Sequence, residues 1–258
     1  MRLGICTDPV NASIVKKAGF DYYEAKVFDV HDASDKDFSQ WLSIQDKAGI
    51  FCESMNCMLH QRHQVTGPKA NHEEIRTYLK KAIPRCAEMG CKTIVFGSAW
   101  SRNMPEGFSD REQAYKQIID YLRMASDICA KYGIVIVIEP LSAKVTNLVS
   151  FVSEGNYLCC LAERENIRLL VDFFAASCNQ ENLYAVLTGY APMIRHLHFS
   201  APDRKYPRRD DGHDYSGFFR GIKDSGYDGR ISIEASHIYG EYEDMLEAME
   251  VFRRELNI

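Results

Sequence analysis

Short apolar runs alternate with longer segments of helical period along this chain, eight times in strict succession. The runs predict strands over 2–6, 21–25, 51–56, 92–97, 134–139, 168–172, 194–199 and 230–235. The intervening segments predict helices over 9–18, 37–48, 71–88, 110–132, 147–164, 180–188, 215–225 and 241–256. Several helices close on the same phrase: KKAGFD (16–21), DKAGIF (46–51), AEMGCK (87–92), AKYGIV (130–135) and DSGYDG (224–229). A glycine there takes the left-handed conformation that ends a helix, and the next strand starts at once. Eight such units in 258 residues predict an α/β fold, a closed (β/α)8 or TIM barrel. An open doubly wound sheet would want a Gly-rich phosphate loop after its first strand, and ICTDPVNAS supplies none. With no linker, charge block or low-complexity tract, residues 1–258 read as one domain.

Composition removes several classes of function. A hydrophobic share of 46% is ample for a core and rules out a disordered chain. The net charge of −5 weighs against a nucleic-acid partner held through its phosphates. No apolar stretch approaches the ~20 residues that span a bilayer, so no membrane partner is expected. The start, MRLGICTDPV, lacks the charged and apolar regions of a signal peptide. Nine cysteines occur without a C-x-x-C pair, and they read as reduced, mostly buried thiols. The expected compartment is cytoplasmic.

The chemistry lies in four of the runs: IVIVIEP (134–140), IRLLVDFF (167–174), MIRHLHFS (193–200) and GRISIEAS (229–236). Each ends in a side chain that can bind a divalent cation: Glu139, Asp172, His198 and Glu234. A carboxylate is costly to desolvate, so it rarely ends a buried strand without a partner. Spacings of 33, 26 and 36 residues match a βα repeat, and in a barrel the C-terminal strand ends face one pocket. Three carboxylates and an imidazole suit Mn²⁺ or Zn²⁺, with Co²⁺ or Mg²⁺ as further options. The other reading of each residue is a polar group sitting alone at a strand end.

The stretches KTIVFGSAWSRNMPEGFS (92–109), GIVIVIEPLSAKVTN (133–147), RHLHFSAPDRKYP (195–207) and GYDGRISIEA (226–235) resemble the xylose isomerase-like TIM barrels. That family holds sugar isomerases and epimerases, including ketose 3-epimerases and hydroxypyruvate isomerases, and more distantly the endonuclease IV repair enzymes. The resemblance implies one divalent metal on Glu139, Asp172, His198 and Glu234, with the two glutamates acting as acid and base. Return of a proton to the opposite face of a carbon inverts it, and return to the neighbouring carbon moves the carbonyl. Two positions depart from the epimerase pattern. Ala175 stands where a histidine is usual, and Val145 where a second glutamate is usual. The repair enzymes need a three-metal cluster. Asp211-Gly-His213 is similar to one of its elements, but Ala175 and Phe96-Gly97-Ser98 leave too few ligands.

Further residues are assigned to the substrate. Arg204 resembles an arginine of the sugar enzymes' pocket, its other reading being a solvated loop residue. His60, with His63 behind it, follows the third strand and lines the mouth. Glu24 ends the second strand and binds substrate hydroxyls or an internal salt bridge. Trp100 and Phe174 offer an apolar wall for a sugar. His196 faces the same side of its strand as His198, inside the barrel. Lys144 and Arg102 are candidates for a phosphate. The expected function is therefore a metal-dependent isomerase or epimerase of a small carbohydrate. The alternatives are a metal-dependent lyase or dehydratase on the same scaffold and a non-catalytic sugar-binding barrel. Exposed barrel helices also leave room for a homo-oligomer.

Overall fold

Eight parallel strands close into a barrel in chain order, with β8 (Arg230–Ile233) paired back onto β1 (Arg2–Cys6) in a computed structural model that describes residues 1–236 and 242–257. Between them lie β2 (Tyr22–Lys26), β3 (Cys52–Asn56), β4 (Thr93–Phe96), β5 (Val135–Ile138), β6 (Ile167–Asp172) and β7 (Ile194–Phe199). The expected TIM barrel is the fold. Its outer ring carries α1 (Ala12–Lys17), α3 (Asp35–Ala48), α4 (His72–Glu88), α6 (Arg111–Cys129), α7 (Val152–Ala162), α9 (Leu183–Gly189), α10 (Ser216–Ser225) and α11 (Tyr242–Leu256). Gly49 caps α3 at φ 63° and Gly226 caps α10 at φ 67°, the left-handed turns that the repeated phrase requires.

Three short helices were not visible in the periodicity: α2 (Val27–Asp32), α5 (Ala99–Arg102) and α8 (Phe173–Cys178). Each follows a strand with at most two residues between, and each is too short to show an apolar stripe. The helix expected from residue 147 begins instead at Val152. Thr146 and Asn147 are tied elsewhere: Thr146 Oγ1 donates to Asn103 Oδ1 at 2.6 Å, and Asn147 Oδ1 accepts from the Met104 amide at 2.9 Å. These bonds pin the loop after β5 to the loop after β4. The first predicted helix is split, with a 3-10 turn over Pro9–Asn11 before α1. Of the last predicted helix, residue 241 lies outside the described residues.

The apolar core fills the space between strands and outer helices. The barrel axis is different. Val95, Val137 and Leu170 make a small apolar wedge on β4, β5 and β6. Opposite them the axis is polar, with Tyr22, Glu24, Ser54, His196 and Ser232 all buried. Tyr22 reaches across because Gly4 leaves the room. A Cβ on Gly4 would lie 2.2 Å from the Tyr22 ring. The tyrosine hydroxyl and Ser232 Oγ are 2.8 Å apart.

Candidate active site

The four side chains singled out at strand ends converge at the C-terminal mouth of the barrel. Glu139, Asp172 and Glu234 each place an oxygen within 4.8 Å of the others'. His198 completes the group: its Nδ1 lies 3.1 Å from Glu139 Oε1 and 3.4 Å from Glu234 Oε2. Gly97 makes this possible, since a Cβ there would sit 1.7 Å from Glu139 Oε2. Asp172 also starts α8, accepting from the Phe174 and Ala175 amides at 3.1 and 3.2 Å. Those bonds fix its rotamer before any ligand arrives.

Beneath this group lies a second, fully buried layer. Glu24 Oε1 accepts from His198 Nε2 at 3.0 Å. Glu24 Oε2 takes His196 Nε2 at 2.8 Å and the Ser232 hydroxyl at 2.6 Å. Glu24 thus spends both oxygens on protein donors, which is the internal-pair reading of that residue. With Nε2 engaged, Nδ1 of His198 is the nitrogen that faces the carboxylates, the arrangement found when a carboxylate orients a metal-binding imidazole.

The electrostatics are those of an excess of acid. Burial, with Glu234 nearby, raises the carboxyl of Glu139, and burial also raises that of Asp172 despite Arg204. Glu234 is buried too, but Arg204 and His198 outweigh that and hold it down to about 2. Burial opposes a charge on His198, yet Glu24 and Glu234 raise it well above an ordinary imidazole. Four carboxylates face one guanidinium and two imidazoles, and burial lowers the pKa of His196, so negative charge is left over at low dielectric. A divalent cation answers that excess, and three carboxylates with one imidazole form a donor set that fits one. Cys6 offers a softer atom within 4.8 Å of His198 and Glu234.

Arg204 enters the same space. Its Nη1 donates to Asp172 Oδ2 at 2.8 Å and its Nη2 pairs with Glu234 Oε2. The guanidinium rests 4.7 Å from the centroid of the Phe174 ring. Phe174 thus supports the arginine, and it is not among the described residues that line the cavity. That cavity, about 210 Å³, is lined by residues that include Cys6, Glu24, Lys26, Asn56, Arg204 and Glu234. His60 and Trp100 do not line it among the described residues. His60 stands 3.8 Å from Asp32 and against Phe28, while Trp100 Nε1 donates to the Leu59 carbonyl at 3.3 Å.

Other expectations change. Arg102 is fully buried and donates to the carbonyls of Phe96 at 3.0 Å and Glu139 at 2.7 Å, so it ties strand ends together and meets no phosphate. Val145 is 59% exposed on the loop after β5. Ala175 is buried at the start of α8. The Asp211-Gly-His213 element belongs to a separate hollow, and Asp211 is used up by its own loop and Tyr215. All nine cysteines are free. Lys26, Asn56, Cys6 and Cys57 in the cavity wall escaped the sequence reading. The signal present was position alone, since Cys6, Lys26 and Asn56 each end a strand.

The family model described as xylose isomerase-like TIM barrel matches residues 12–255. The chain belongs to that family. Among its relatives, the 2-oxo-tetronate isomerase of Pectobacterium atrosepticum is 33% identical over 167 residues, covering 63% of this chain and 61% of that protein. The match therefore spans about three fifths of that relative's length. Among solved structures, a D-psicose 3-epimerase in the presence of D-fructose is similar over 100% of both chains, with TM-score 0.88 and 15% identity. The IOLI protein with a binding zinc atom is similar over 100% of this chain and 98% of its own, with TM-score 0.75 and 19% identity. At such identities these two structures share the xylose isomerase-like fold and speak to nothing finer.

Proposed function

We propose that this xylose isomerase-like barrel is a divalent-metal-dependent isomerase or epimerase of a small sugar or sugar derivative. The observation that carries the reading is the flanking pair. Glu139 leaves β5 and Glu234 leaves β8, with the strands of Asp172 and His198 between them, and both carboxylates still reach one imidazole nitrogen. Two carboxylates approaching one point from different sides can take a proton from a carbon and return it elsewhere. Glu139, Asp172, His198 and Glu234 would hold Mn²⁺, Zn²⁺, Co²⁺ or Mg²⁺. That cation would supply polarisation of a carbonyl, which acidifies the neighbouring C–H.

The chain's own residues do the rest. Glu24 fixes the His198 ring, and the α8 amides fix Asp172. Arg204 bridges Asp172 and Glu234 and presents its remaining donors to a substrate oxygen. One glutamate removes the proton and the other returns it. Return to the same carbon from the far face is epimerisation, and return to the next carbon is isomerisation. The isomerase named among the relatives supports the same chemistry.

The test is solvent-deuterium exchange into a panel of small ketoses and keto acids, with each cation in turn. The expected result is deuterium in the recovered sugar, with no other change of formula. Loss of water from the substrate would make the protein a lyase or dehydratase instead. Neither exchange nor loss, with ligand bound, would leave a sugar-binding barrel.

A further inference from the structure

The wall of the cavity that faces away from β5 and β6 is built by β1, β2 and β3. Lys26 and Asn56 end β2 and β3 and stand directly opposite each other in strand register. Both fall on the inward face, two residues beyond Glu24 and Ser54. Asn56 is 7% exposed. Its Nδ2 donates weakly to Cys6 Sγ at 3.5 Å, while its Oδ1 has no partner. A buried carbonyl oxygen left without a donor costs stability, so it marks a place where a donor is meant to arrive. The Lys26 ammonium is held loosely, 3.8 Å from Asp29 Oδ2. Asp8 lines the same cavity, and among the described residues its carboxylate makes no hydrogen bond or ion pair.

A donor and an acceptor side by side are complementary to a hydroxyl, which accepts from the ammonium and donates to the amide oxygen. A carboxylate or phosphate answers only the lysine. It would set its own oxygens against Asn56 Oδ1 and the Asp8 carboxylate, all of them acceptors. We infer that Lys26 and Asn56 form a subsite that reads a hydroxyl on the unreacting tail of the substrate, which is uncharged at that end. The substrate class is then a polyhydroxy ketose rather than a sugar phosphate or a sugar acid with its carboxylate in the tail. This rests on the isomerase or epimerase reading for the reacting end alone.

The experiment is calorimetric binding of D-ribulose, its 4-deoxy and 5-deoxy analogues and D-ribulose 5-phosphate to the metal-supplemented protein. Wild type is expected to bind D-ribulose about tenfold tighter than at least one deoxy analogue, and tighter than the phosphate. Asn56→Leu should bring that ratio to within about twofold of one, while Asn56→Asp, which keeps an acceptor, should preserve it. Lys26→Met should lower it too. Equal binding of all four sugars, no binding of any, a preference for the phosphate, or a ratio that survives Asn56→Leu would each overturn the subsite. Calorimetry needs no turnover. Absence of deuterium exchange would therefore remove the isomerase reading and leave the binding ratio to judge the subsite.

Discussion

At its N-terminal end the barrel sets one carboxylate between two guanidinium groups; at its C-terminal end it sets one guanidinium among four carboxylates. Below, Glu53 accepts from Arg2 Nε at 3.0 Å and from Arg230 Nε and Nη2 at 2.9 and 2.7 Å, and a further Arg2 bond goes to the Asp21 carbonyl. The two arginines come from β1 and β8, the pair whose bonding closes the ring. Above, Arg204 satisfies parts of Asp172 and Glu234, leaves Glu139 to His198, and leaves Glu24 to His196, His198 and Ser232. The same residue types thus serve opposite ends. Where donors saturate the acid the cluster is a fastener, and where acid is in excess the cluster has room for a cation.

This contrast can be broken at either end. The largest effect is expected from Glu234→Gln, which should cut turnover by about 10³-fold, because a proton-transfer group is lost. Its melting temperature should stay near that of wild type; retained activity would take Glu234 out of the mechanism. Elemental analysis comes next. Wild type should carry about one equivalent of divalent metal, lost in His198→Ala and Asp172→Asn. The cation should also stabilise wild type, by about 2.7 kcal/mol when present at about 100 times its Kd, and leave Asp172→Asn unmoved. If wild type took up no metal, the excess of acid above would need another explanation.

Gly97→Ala sharpens the comparison from one side. The new methyl must displace the Glu139 carboxylate, so metal affinity should fall by about tenfold, with a stability cost of about 1–3 kcal/mol. An unaltered metal titration would show that Glu139 has another workable position. The smallest effect is expected below. Glu53→Gln should cost about 1–2 kcal/mol in chemical denaturation, a figure reduced because Arg2 is 47% exposed. Its exchange rate on a sugar substrate should match wild type within about twofold, because both arginines lie at the far pole from Glu139, Asp172, His198 and Glu234. A large loss of activity there would mean that the two ends are coupled.

Much of the barrel was legible in the chain. Buried parallel strands are short and continuously apolar, and a glycine marks each of several helix ends, so period and punctuation agree. The four residues gathered at the mouth were legible for a related reason. A charged residue closing an apolar run is conspicuous, and the topology sends every such residue to one mouth. What stayed hidden depends on contacts between distant strands. Glu24 was left open between substrate hydroxyls and an internal salt bridge, because nothing in DYYEAKV announces two histidines from β7. Arg102 looked like an anion site because its carbonyl partners, at Phe96 and Glu139, come from strands on either side of a long helix. Asn56 carried no signal beyond closing a strand. Its importance comes from an oxygen without a partner, which only three dimensions reveal. The short helices α2, α5 and α8 lie below the length at which periodicity can speak.

The ring closes on β8, and that has a consequence for the order of events at the ribosome. Glu24 is made early, Glu139 midway, and Glu234 only when the last strand has emerged. His198 cannot be held by Glu24 and flanked by both glutamates until the final strand pairs with the first. An unfinished chain therefore displays an apolar surface and scattered acids, but no complete set of ligands. On the reading proposed above, the metal site and its chemistry are completed together, by the same strand pairing that completes the fold.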